Sequence, residues 1–431
     1  MIEQVLNLRN LTKAAYQVAK NKGSSGIDKM PVKELLNYLR TDRQQLCEEI
    51  LSGKYKAQAI KGVAIPKSNG KTRMLGVPTV KDRMLQQAVS QVIALGFEQT
   101  FKDRSYGFRP GKNAHQAVVQ AKNYINDGNQ YIVDIDLKNF FDEVDHCLIL
   151  QLIYNKVKCA STMRLIRKWL KAPIMIKGKL TKRSKGVPQG SPLSPLLSNI
   201  LLNELDCELE KRNLKYVRYA DDFSIYCKSR REATVAGNAI YLFLSRRLKL
   251  EINREKSGIR RPVQFEILGY KFVPTYKKSD RGKYQLIVSE KGWKRLKQSI
   301  KSATRKTAPK SFDERLQELK LIQTGWINYF RLASIKEKLN DLDSWVRNRL
   351  RYCIWKDWKK PERKRKNLLR LGVDPDHAYA WSRTRKGGWA VSQSPILTTT
   401  ITIERLRKRG YGAMLDYYLK VRPTTDEPLY T

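Results

Sequence analysis

The stretch that decides the fold reads Tyr216-Val217-Arg218-Tyr219-Ala220-Asp221-Asp222-Phe223-Ser224-Ile225-Tyr226. Apolar residues flank two adjacent acids, a pattern typical of a β-hairpin that holds carboxylates at its tip. Adjacent carboxylates repel each other, which favours a cation beside them. A plain Asp-Asp turn is the alternative interpretation, because so short a string also arises in unrelated chains. The rest of the sequence has to decide between the two.

A third acid ends another apolar stretch, Tyr131-Ile132-Val133-Asp134-Ile135-Asp136, which reads as a buried strand. Strand ends and tight hairpins hold side chains rigidly, so acids from distant segments can meet at one point there. Carboxylate oxygens are ligands that Mg²⁺ prefers. Asp136, Asp221 and Asp222 are therefore candidates for one metal site.

Charge is the strongest signal in the composition. The 431 residues carry a formal net charge of +44, and 41% of them are hydrophobic. The length predicts roughly two to four domains, and so large a charge favours a polyanionic partner. Nucleic acid is the expected partner, because phosphate contacts supply most sequence-independent affinity. A solvated basic surface is the alternative, and a membrane partner is not expected because no lipidation motif is present.

Cysteine and histidine argue against a zinc site. None of the six cysteines forms a CxxC pair, and the chain has three histidines. We therefore expect neither a zinc site nor a disulfide framework, but cysteines that fill cores in a reducing compartment. The first residues do not have the pattern of a signal peptide, and no run of 18 apolar residues occurs. These features predict a cytoplasmic protein.

Periodicity and turn residues predict the main elements. Two helices around a turn are expected within residues 1–50, and a hairpin at 58–78 has Asn69-Gly70 in its loop. Further helices are expected at 80–100, 145–170, 192–213 and 230–249, and a strand–turn unit at 265–272.

The chain changes character after about residue 290, where basic residues become denser and seven of the eight tryptophans lie. Basic helices interleaved with aromatics suit gripping a duplex and stacking on bases. For most of these tryptophans, however, we favour the alternative that they fill helix cores. The dense charge run 359–366 predicts a boundary.

Ordered motifs along the chain resemble those of reverse transcriptases encoded within group II introns. Besides Tyr219–Asp222, the matching segments are Arg104–Gly111, Asp134–Asp142, Gly186–Pro195, Glu251–Ser257 and Ile267–Tyr270. The resemblance implies an α+β right-hand polymerase with fingers and a palm built on an antiparallel sheet. An α-helical thumb, called domain X, and a small basic C-terminal segment follow. The implied boundaries are 1–290, 291–364 and 365–431.

The resemblance also assigns the metal site. Asp136, Asp221 and Asp222 would be the catalytic carboxylates, and Leu137 would add its backbone carbonyl. They would hold two Mg²⁺ ions, with Mn²⁺ as a possible substitute. Asp134 and Asp142, the other acids of that motif, are expected to have structural roles.

Nucleotide contacts follow from the same resemblance. Phe141 would be the steric gate that selects deoxynucleotides, its alternative being an ordinary core phenylalanine. Lys67 and Arg73 would clamp the triphosphate, although without the family they would pass for exposed hairpin charges. Further substrate-binding residues would be Gln189, Gly190, which allows close backbone approach, and Tyr219.

Two further roles are implied downstream. Lys256 could protonate the leaving pyrophosphate, and its alternative is a surface lysine. Leu268, Gly269 and Tyr270 would form the primer grip. Gly325–Phe330 and Trp345–Leu350 resemble the domain X pattern, and residues after about 365 resemble the family's DNA-binding segment.

The implied function is RNA-directed DNA synthesis by a protein that also assists splicing and mobility of its parent intron. The implied partners are group II intron RNA, an RNA template with a DNA primer, dNTPs and target DNA. Many relatives end in an HNH endonuclease with paired cysteines. Because no cysteine follows Cys353, the resemblance implies the compact type without that domain.

Three rival interpretations remain at this stage. The first is a reverse transcriptase with a host role, as in retrons or diversity-generating elements, against which Gly190-Ser191-Pro192 and the thumb pattern argue. The second is an RNA-binding splicing factor with a vestigial polymerase site, against which the three intact aspartates argue. The third is an RNA-dependent RNA polymerase, against which Phe141 argues.

Overall fold

The computed structural model describes residues 1–66, 70, 72–276 and 282–423. The chain divides into two compact units, Met1–Pro262 and Val263–Thr431. The predicted strand–turn unit near residue 270 therefore belongs to the second unit. Lys67, which was expected to contact the triphosphate, lies outside the described residues.

The first unit contains a mixture of helices and short strands. Its helices are α1 (Ile2–Leu6), α2 (Leu8–Lys20), α3 (Leu35–Thr41), α4 (Arg43–Leu51), α5 (Val80–Glu98), α6 (Ala114–Asn126), α7 (Phe140–Glu143), α8 (His146–Val157), α9 (Ala160–Lys171), α10 (Ser194–Lys211) and α11 (Arg230–Arg246). Its strands are β1 (Ile60–Pro66), β2 (Thr72–Val77), β3 (Tyr131–Ile135), β4 (Ile174–Ile176), β5 (Lys179–Thr181), β6 (Lys215–Tyr219), β7 (Asp222–Cys227) and β8 (Gly258–Arg260).

An antiparallel sheet with strand order β6-β7-β3-β8, here called the central sheet, carries the acids. Its apolar residues face a continuous core, in which Ile135 and Ile225 are buried beside α10 and α11. Helix α11 packs closely on β3, because a side chain at Gly237 would meet Val133 at 3.3 Å. The hairpin predicted around Asp221 is confirmed as β6 and β7.

A second sheet has the order β2-β1-β4-β5. Strands β1 and β2 form the predicted hairpin, with Ile65 opposite Arg73. Strand β4 adds to β1 in parallel, and β5 pairs with β4 through a turn at Lys177 and Gly178, both with positive φ. This short pair was not predicted, because strands of three residues are too brief to show a clear alternation.

The helix predictions hold for α5, α10 and α11, with α10 beginning two residues later than expected. The first 50 residues differ, since they form four short helices rather than two. The helix expected at 145–170 is divided into α8 and α9 where Lys158 takes a left-handed φ of 44°. Helix α6 was missed, although the Asn113 and Gln116 capping box was a signal for its start.

The second unit joins a small antiparallel sheet to a set of helices. Its strands, in the order β11-β10-β9, are β9 (Glu266–Ile267), β10 (Tyr270–Pro274) and β11 (Tyr284–Val288). Its helices are α12 (Glu290–Ala303), α13 (Phe312–Phe330), α14 (Lys336–Asp357), α15 (Pro361–Arg370), α16 (Pro375–Ser382), α17 (Gly388–Gln393), α18 (Pro395–Thr398), α19 (Ile403–Lys408) and α20 (Met414–Val421).

Aromatic side chains fill much of the core of the second unit. The prediction that most of the tryptophans after residue 290 fill helix cores holds fully for Trp293 and Trp355, which are buried, whereas four are half-buried and Trp389 is exposed. Trp326 bridges α12 and α13, since its ring lies 4.8 Å from those of both Trp293 and Phe330. All six cysteines are free thiols. Within the described part of the chain, no helix has the length and apolarity needed to cross a membrane.

Candidate active site

Asp136 is held by its backbone just beyond the end of β3. Its N–H donates to Oγ of Ser257 at 3.0 Å, and its carbonyl accepts from the N–H of Asn253 at 2.8 Å. The next residue, Leu137, forms a β-bridge with Ile252. The segment that follows α11 therefore fixes the backbone of Asp136 from one side, which leaves its carboxylate available for chemistry.

Asp221 and Asp222 sit at the tip of the β6–β7 hairpin. Tyr219 and Asp222 form the closing pair, so that Ala220 and Asp221 are the two turn residues. Ala220 has a φ of 58°, a left-handed value that glycine adopts far more readily at the first position of such turns. The sharp turn places the two acids next to each other at the strand end.

The register of the central sheet brings the three acids to the same place. Asp134 lies opposite Ser224, and Ile135 lies opposite Phe223. One further step along both strands brings Asp136 level with Asp222. Acids that are more than 80 residues apart in sequence thus meet at one edge of the sheet.

The carboxylates at this edge of the central sheet lie close enough to influence each other's pKa. Burial, followed by the charges of Asp221 and Asp136, raises the pKa of Asp222 to about 6. Burial also raises the pKa of Asp221, an effect that the charge of Arg73 opposes. Lys256 offsets part of the repulsion, because its Nζ lies 3.2 Å from Oδ2 of Asp136. A cation placed among these acids would therefore be strongly stabilised.

The loop before α10 docks on strand β2. The side chain of Arg73 donates to Oε1 of Gln189, and the backbone N–H of Gly76 donates to the Gln189 carbonyl at 2.8 Å. Gly190 has a φ of 115°, and a Cβ there would lie 2.9 Å from the carbonyl oxygen of Gly76. The close backbone approach at Gly190 is thus to β2, and this contact alone demands a glycine.

Phe141 lies on the other side of the same loop. It is half-buried on α7, with its ring edge-on to that of Phe140 at a centroid distance of 5.2 Å. Its backbone carbonyl accepts from the N–H of Val187 at 2.7 Å. The loop 186–190 therefore connects α7, which begins four residues after Asp136, with strand β2.

Comparisons with known proteins identify the family. Residues 65–272 match the model of the reverse transcriptase (RNA-dependent DNA polymerase) family, and residues 293–372 match that of the group II intron maturase-specific domain. The chain is 31% identical to protein YkfC of Escherichia coli K12 over 318 residues, which cover 64% of this chain and 83% of YkfC. The chain belongs to the group II intron-encoded reverse transcriptases.

Other relatives are longer, and this reverse transcriptase matches about half of their length or less. The group II intron-encoded protein LtrA of Lactococcus lactis is 31% identical over 295 residues, which cover 53% of this chain but 49% of LtrA. Among solved structures, a chain of a partial Cas6-RT-Cas1–Cas2 complex is 28% identical. That match covers 56% of this chain and 42% of the other, with a TM-score of 0.34.

The remaining predicted residues of the reverse transcriptase fall into two groups. Tyr219, half-buried, closes the β6–β7 hairpin in the first unit. Leu268, Gly269 and Tyr270 belong to the second unit, where Leu268 and Gly269 form the β9–β10 turn with φ values of 51° and 82°. The side chain of Tyr329 on α13 donates to the Leu268 carbonyl at 3.0 Å, so this turn is anchored to α13.

Sequence reasoning missed several residues that support the site. Ser257 was quoted only as part of a motif, although it binds the backbone of Asp136. Arg218 was quoted only as part of the hairpin and given no role, although it makes a fully buried ion pair with Asp206 of α10. An arginine placed within an apolar strand, three residues before Asp221, was the signal for it. Asp134, for which a structural role was expected, accepts from Nε of Arg260 at 2.8 Å.

Proposed function

We propose that this reverse transcriptase copies RNA into DNA at Asp136, Asp221 and Asp222. The register of the central sheet carries the proposal, because it aligns the end of β3 with the tip of the β6–β7 hairpin. The raised pKa of Asp222 agrees with this, since its causes are burial first and then the charges of Asp221 and Asp136. We assign residues 1–290 to fingers and palm, with the central sheet in the palm.

The acids fit a pair of magnesium ions in chemistry and charge. They offer hard oxygen donors whose repulsion a divalent cation would relieve. Among the described residues, no group of three His, Cys, Asp or Glu side chains is placed so that it could hold a metal ion. Mg²⁺ commonly takes one or two carboxylates and completes its shell with phosphates and water, so the missing ligands would come with the substrate. Mn²⁺ could replace it.

When bound, two such ions would activate the primer 3′-hydroxyl and neutralise the departing pyrophosphate. Asp136, Asp221 and Asp222 would hold them, with the backbone carbonyl of Leu137 as a further ligand. The rigid attachment of Asp136 to Ser257 supports this role, since catalytic groups need fixed positions.

The incoming nucleotide would meet residues of the fingers hairpin and of the loop before α10. Arg73 would bind the triphosphate together with Lys67, and Gln189 and Tyr219 would line the nucleotide site. The effect of Arg73 on the pKa of Asp221 supports its nearness to the reacting phosphates. Phe141 would exclude a ribose 2′-hydroxyl, a role supported by its position five residues beyond Asp136 and its half-buried ring.

Lys256 would give a proton from Nζ to the leaving pyrophosphate oxygen. Its contact with Asp136 places a charged ammonium beside the metal-binding acids, where the pyrophosphate would form. General acids of this kind commonly contribute 10²- to 10⁴-fold to rates.

The second unit would bind nucleic acid over a larger area. We assign residues 291–364 to the thumb or domain X and 365–431 to a DNA-binding segment, and Leu268, Gly269 and Tyr270 to the primer grip. The maturase-specific match at 293–372 supports binding of the parent intron RNA during splicing. Target DNA would be a further partner during intron mobility. Such substrates would place the protein in the cytoplasm.

Primer extension tests the central proposal. The wild-type protein, supplied with an RNA template, a DNA primer, dNTPs and Mg²⁺, should extend the primer. Asp221→Ala should abolish extension and leave RNA binding nearly unchanged. The matched control is Asp103→Ala, which removes an exposed acid and should retain full activity. A wild-type protein that binds RNA and extends nothing would support the splicing-factor alternative instead.

A further inference from the structure

Arg218 is fully buried, and its guanidinium is bound on three of its sides. Nε and Nη2 donate to the two carboxylate oxygens of Asp206, at 2.8 Å and 2.5 Å. Nη1 donates to Oδ1 of Asn199 at 3.0 Å and to the backbone carbonyl of Ala220 at 2.9 Å. A buried ion pair is often replaceable by apolar residues without loss of stability. The question is therefore what this arginine holds in place.

The contact with Ala220 fixes the turn that carries the acids. A non-glycine residue in the left-handed region is strained, and it persists only when its surroundings enforce that conformation. The bond from Arg218 is made to the carbonyl of Ala220, which belongs to the same peptide group as the nitrogen of Asp221. Orientation of that peptide sets the direction in which Asp221 leaves the turn.

A second support comes from the segment 104–107, part of a family motif to which no role had been assigned. Its backbone pairs with Arg218 on both sides: Arg218 N–H donates to the Arg104 carbonyl at 2.9 Å, and Tyr106 N–H donates to the Arg218 carbonyl at 2.8 Å. Gly107 then packs directly on the turn, since a Cβ there would lie 2.3 Å from the nitrogen of Ala220.

Helix α10 joins the two supports. Asn199 accepts from Arg218 and, through Nδ2, donates to the Gly107 carbonyl at 2.9 Å. Asp206 lies two turns further along the same helix. This helix begins at Ser194, directly after the loop that contains Gln189, so one rigid element leads from the nucleotide-site loop to the catalytic hairpin.

We propose that Arg218 is a positioning residue for nucleotidyl transfer, anchored by Asp206 and Asn199 and completed by the close contact of Gly107. The arginine holds the Ala220 peptide so that Asp221 and Asp222 are already placed before substrate arrives. This inference rests on the proposed polymerase function and adds to it residues that contact neither substrate nor metal. Sub-ångström placement of catalytic groups has large kinetic effects, and a 1 Å error can cost about 100-fold in rate.

The first test removes both charges at once. Asp206→Leu combined with Arg218→Met fills the same space with apolar side chains, so the fold should be retained. We expect kcat for single-nucleotide addition to fall roughly 10- to 100-fold. The KM for dNTP and the Kd for RNA should stay within about twofold, because neither residue touches a ligand. A double variant with wild-type kcat would overturn the proposal.

Hydrogen–deuterium exchange gives a readout that does not depend on activity. In the double variant, amides of residues 219–223 should exchange faster, while the rest of the central sheet keeps its protection. Unchanged exchange at these amides would count against the proposal whatever the activity. A purely structural role would instead loosen α10 and β6 along their whole length.

Arg218→Lys is the second variant, which decides the matter if the double variant does not fold. A lysine keeps a charge for Asp206 but lacks the planar fork needed to reach Asn199 and Ala220 as well. It should show the same fall in kcat and faster exchange at 219–223. The matched control is Arg212→Lys, in an exposed pair with Glu208 on the same helix, and should behave as wild type.

Wild type and Asp221→Ala in the same assay separate the two proposals. Wild-type protein that extends no primer would overturn the polymerase function, and the exchange data would still decide whether Arg218 holds the turn. Active wild type, inactive Asp221→Ala and fully active Arg218 variants would overturn the positioning role alone.

Discussion

Lys256 forms a salt bridge with Asp136, its Nζ lying 3.2 Å from Oδ2 and 3.5 Å from Oδ1. Both side chains are partly exposed, so this pair adds little to stability. Its contact with the carboxylate of Asp136 is instead the basis of the part in the chemistry that we propose for Lys256. The lysine is the cationic side chain that the structure pairs with Asp136.

Substitution of Lys256 should reveal whether it gives a proton or only a charge. We expect Lys256→Ala to lower kcat about 100-fold or more, because general acids contribute on this scale. Lys256→Arg keeps the charge but holds its proton too tightly to transfer it, so it should be nearly as slow. Single-turnover nucleotide addition measures both, and rescue of the rate by arginine would exclude proton donation. Lys102→Ala, from an exposed pair with Glu210, is the control.

Phe141→Ala should weaken discrimination between deoxynucleotides and ribonucleotides. Removing the half-buried ring opens space beside the acids where a 2′-hydroxyl would fit. Competition between a dNTP and the matching ribonucleotide gives the ratio of kcat/KM, which should fall at least about tenfold if steric exclusion sets the choice. Phe140→Leu, its buried neighbour, tests whether general loosening has the same effect. If Phe141→Ala leaves sugar selectivity unchanged, Phe141 is not the steric gate but an ordinary core phenylalanine.

RNA affinity should fall steeply as salt rises. The formal charge of +44 predicts that phosphate contacts and counterion release dominate binding. A protein that makes 6–10 such contacts loses about 10³- to 10⁵-fold in affinity between 50 and 200 mM salt. Titration of labelled intron RNA at several salt concentrations measures the slope. A flat response would contradict the electrostatic account of binding.

His146 predicts how stability depends on pH. Its Nε2 donates to the Gly186 carbonyl at 2.7 Å, and its Nδ1 is buried without a hydrogen-bond partner within the described structure. Burial, with help from Arg183, lowers the pKa of His146 below its usual 6.5. The unfolded chain therefore binds a proton that the folded chain rejects, so stability should fall as the pH drops through about 6.5.

Urea unfolding at several pH values measures this dependence. His146→Gln can still donate to Gly186 and does not titrate, so it should flatten the curve between pH 7 and 5.5. If wild type and His146→Gln show the same slope in that range, the histidine is not responsible. Gly186, the partner of His146, is the first residue of the loop that carries Gln189. Acid conditions should therefore destabilise this loop before the rest of the first unit.

Asp343 on α14 caps helix α20 in the second unit. Its buried carboxylate accepts from the backbone N–H groups of Met414 and Leu415, both at 2.9 Å. Asp343→Ala would leave buried donors without a partner, and should lower the free energy of unfolding of this unit by about 1–3 kcal/mol. Denaturant titration measures the loss. Asp416→Ala, at an exposed acid on α20, should change stability by less than about 0.5 kcal/mol.

The sequence predicted those parts of the site that depend on local pattern. The hairpin around Asp221 was readable because apolar residues flank it, and the strand ending at Asp136 was readable for the same reason. Long helices such as α5 showed clear periodicity. The resemblance to a family then joined these pieces into one site.

What the sequence did not reveal depends on contacts between distant segments. Arg218, Asp206 and Gly107 meet through three different elements, and no local pattern indicates which charges pair when buried. Gly190 illustrates the same limit. Its motif implied an approach to substrate, which stays a prediction, and nothing in the sequence indicated that its backbone also lies against Gly76. The reason why a position requires a particular residue can then be seen only in the folded structure.

The fully buried Arg218 has a consequence for how this protein responds to heat. Since the acid-bearing turn is fastened to α10 and to the segment 104–107, it has little freedom to melt ahead of its surroundings. Catalysis and tertiary structure should then disappear over the same temperature interval. On warming, activity should be lost when the first unit unfolds. No temperature range should exist in which a folded but inactive enzyme accumulates.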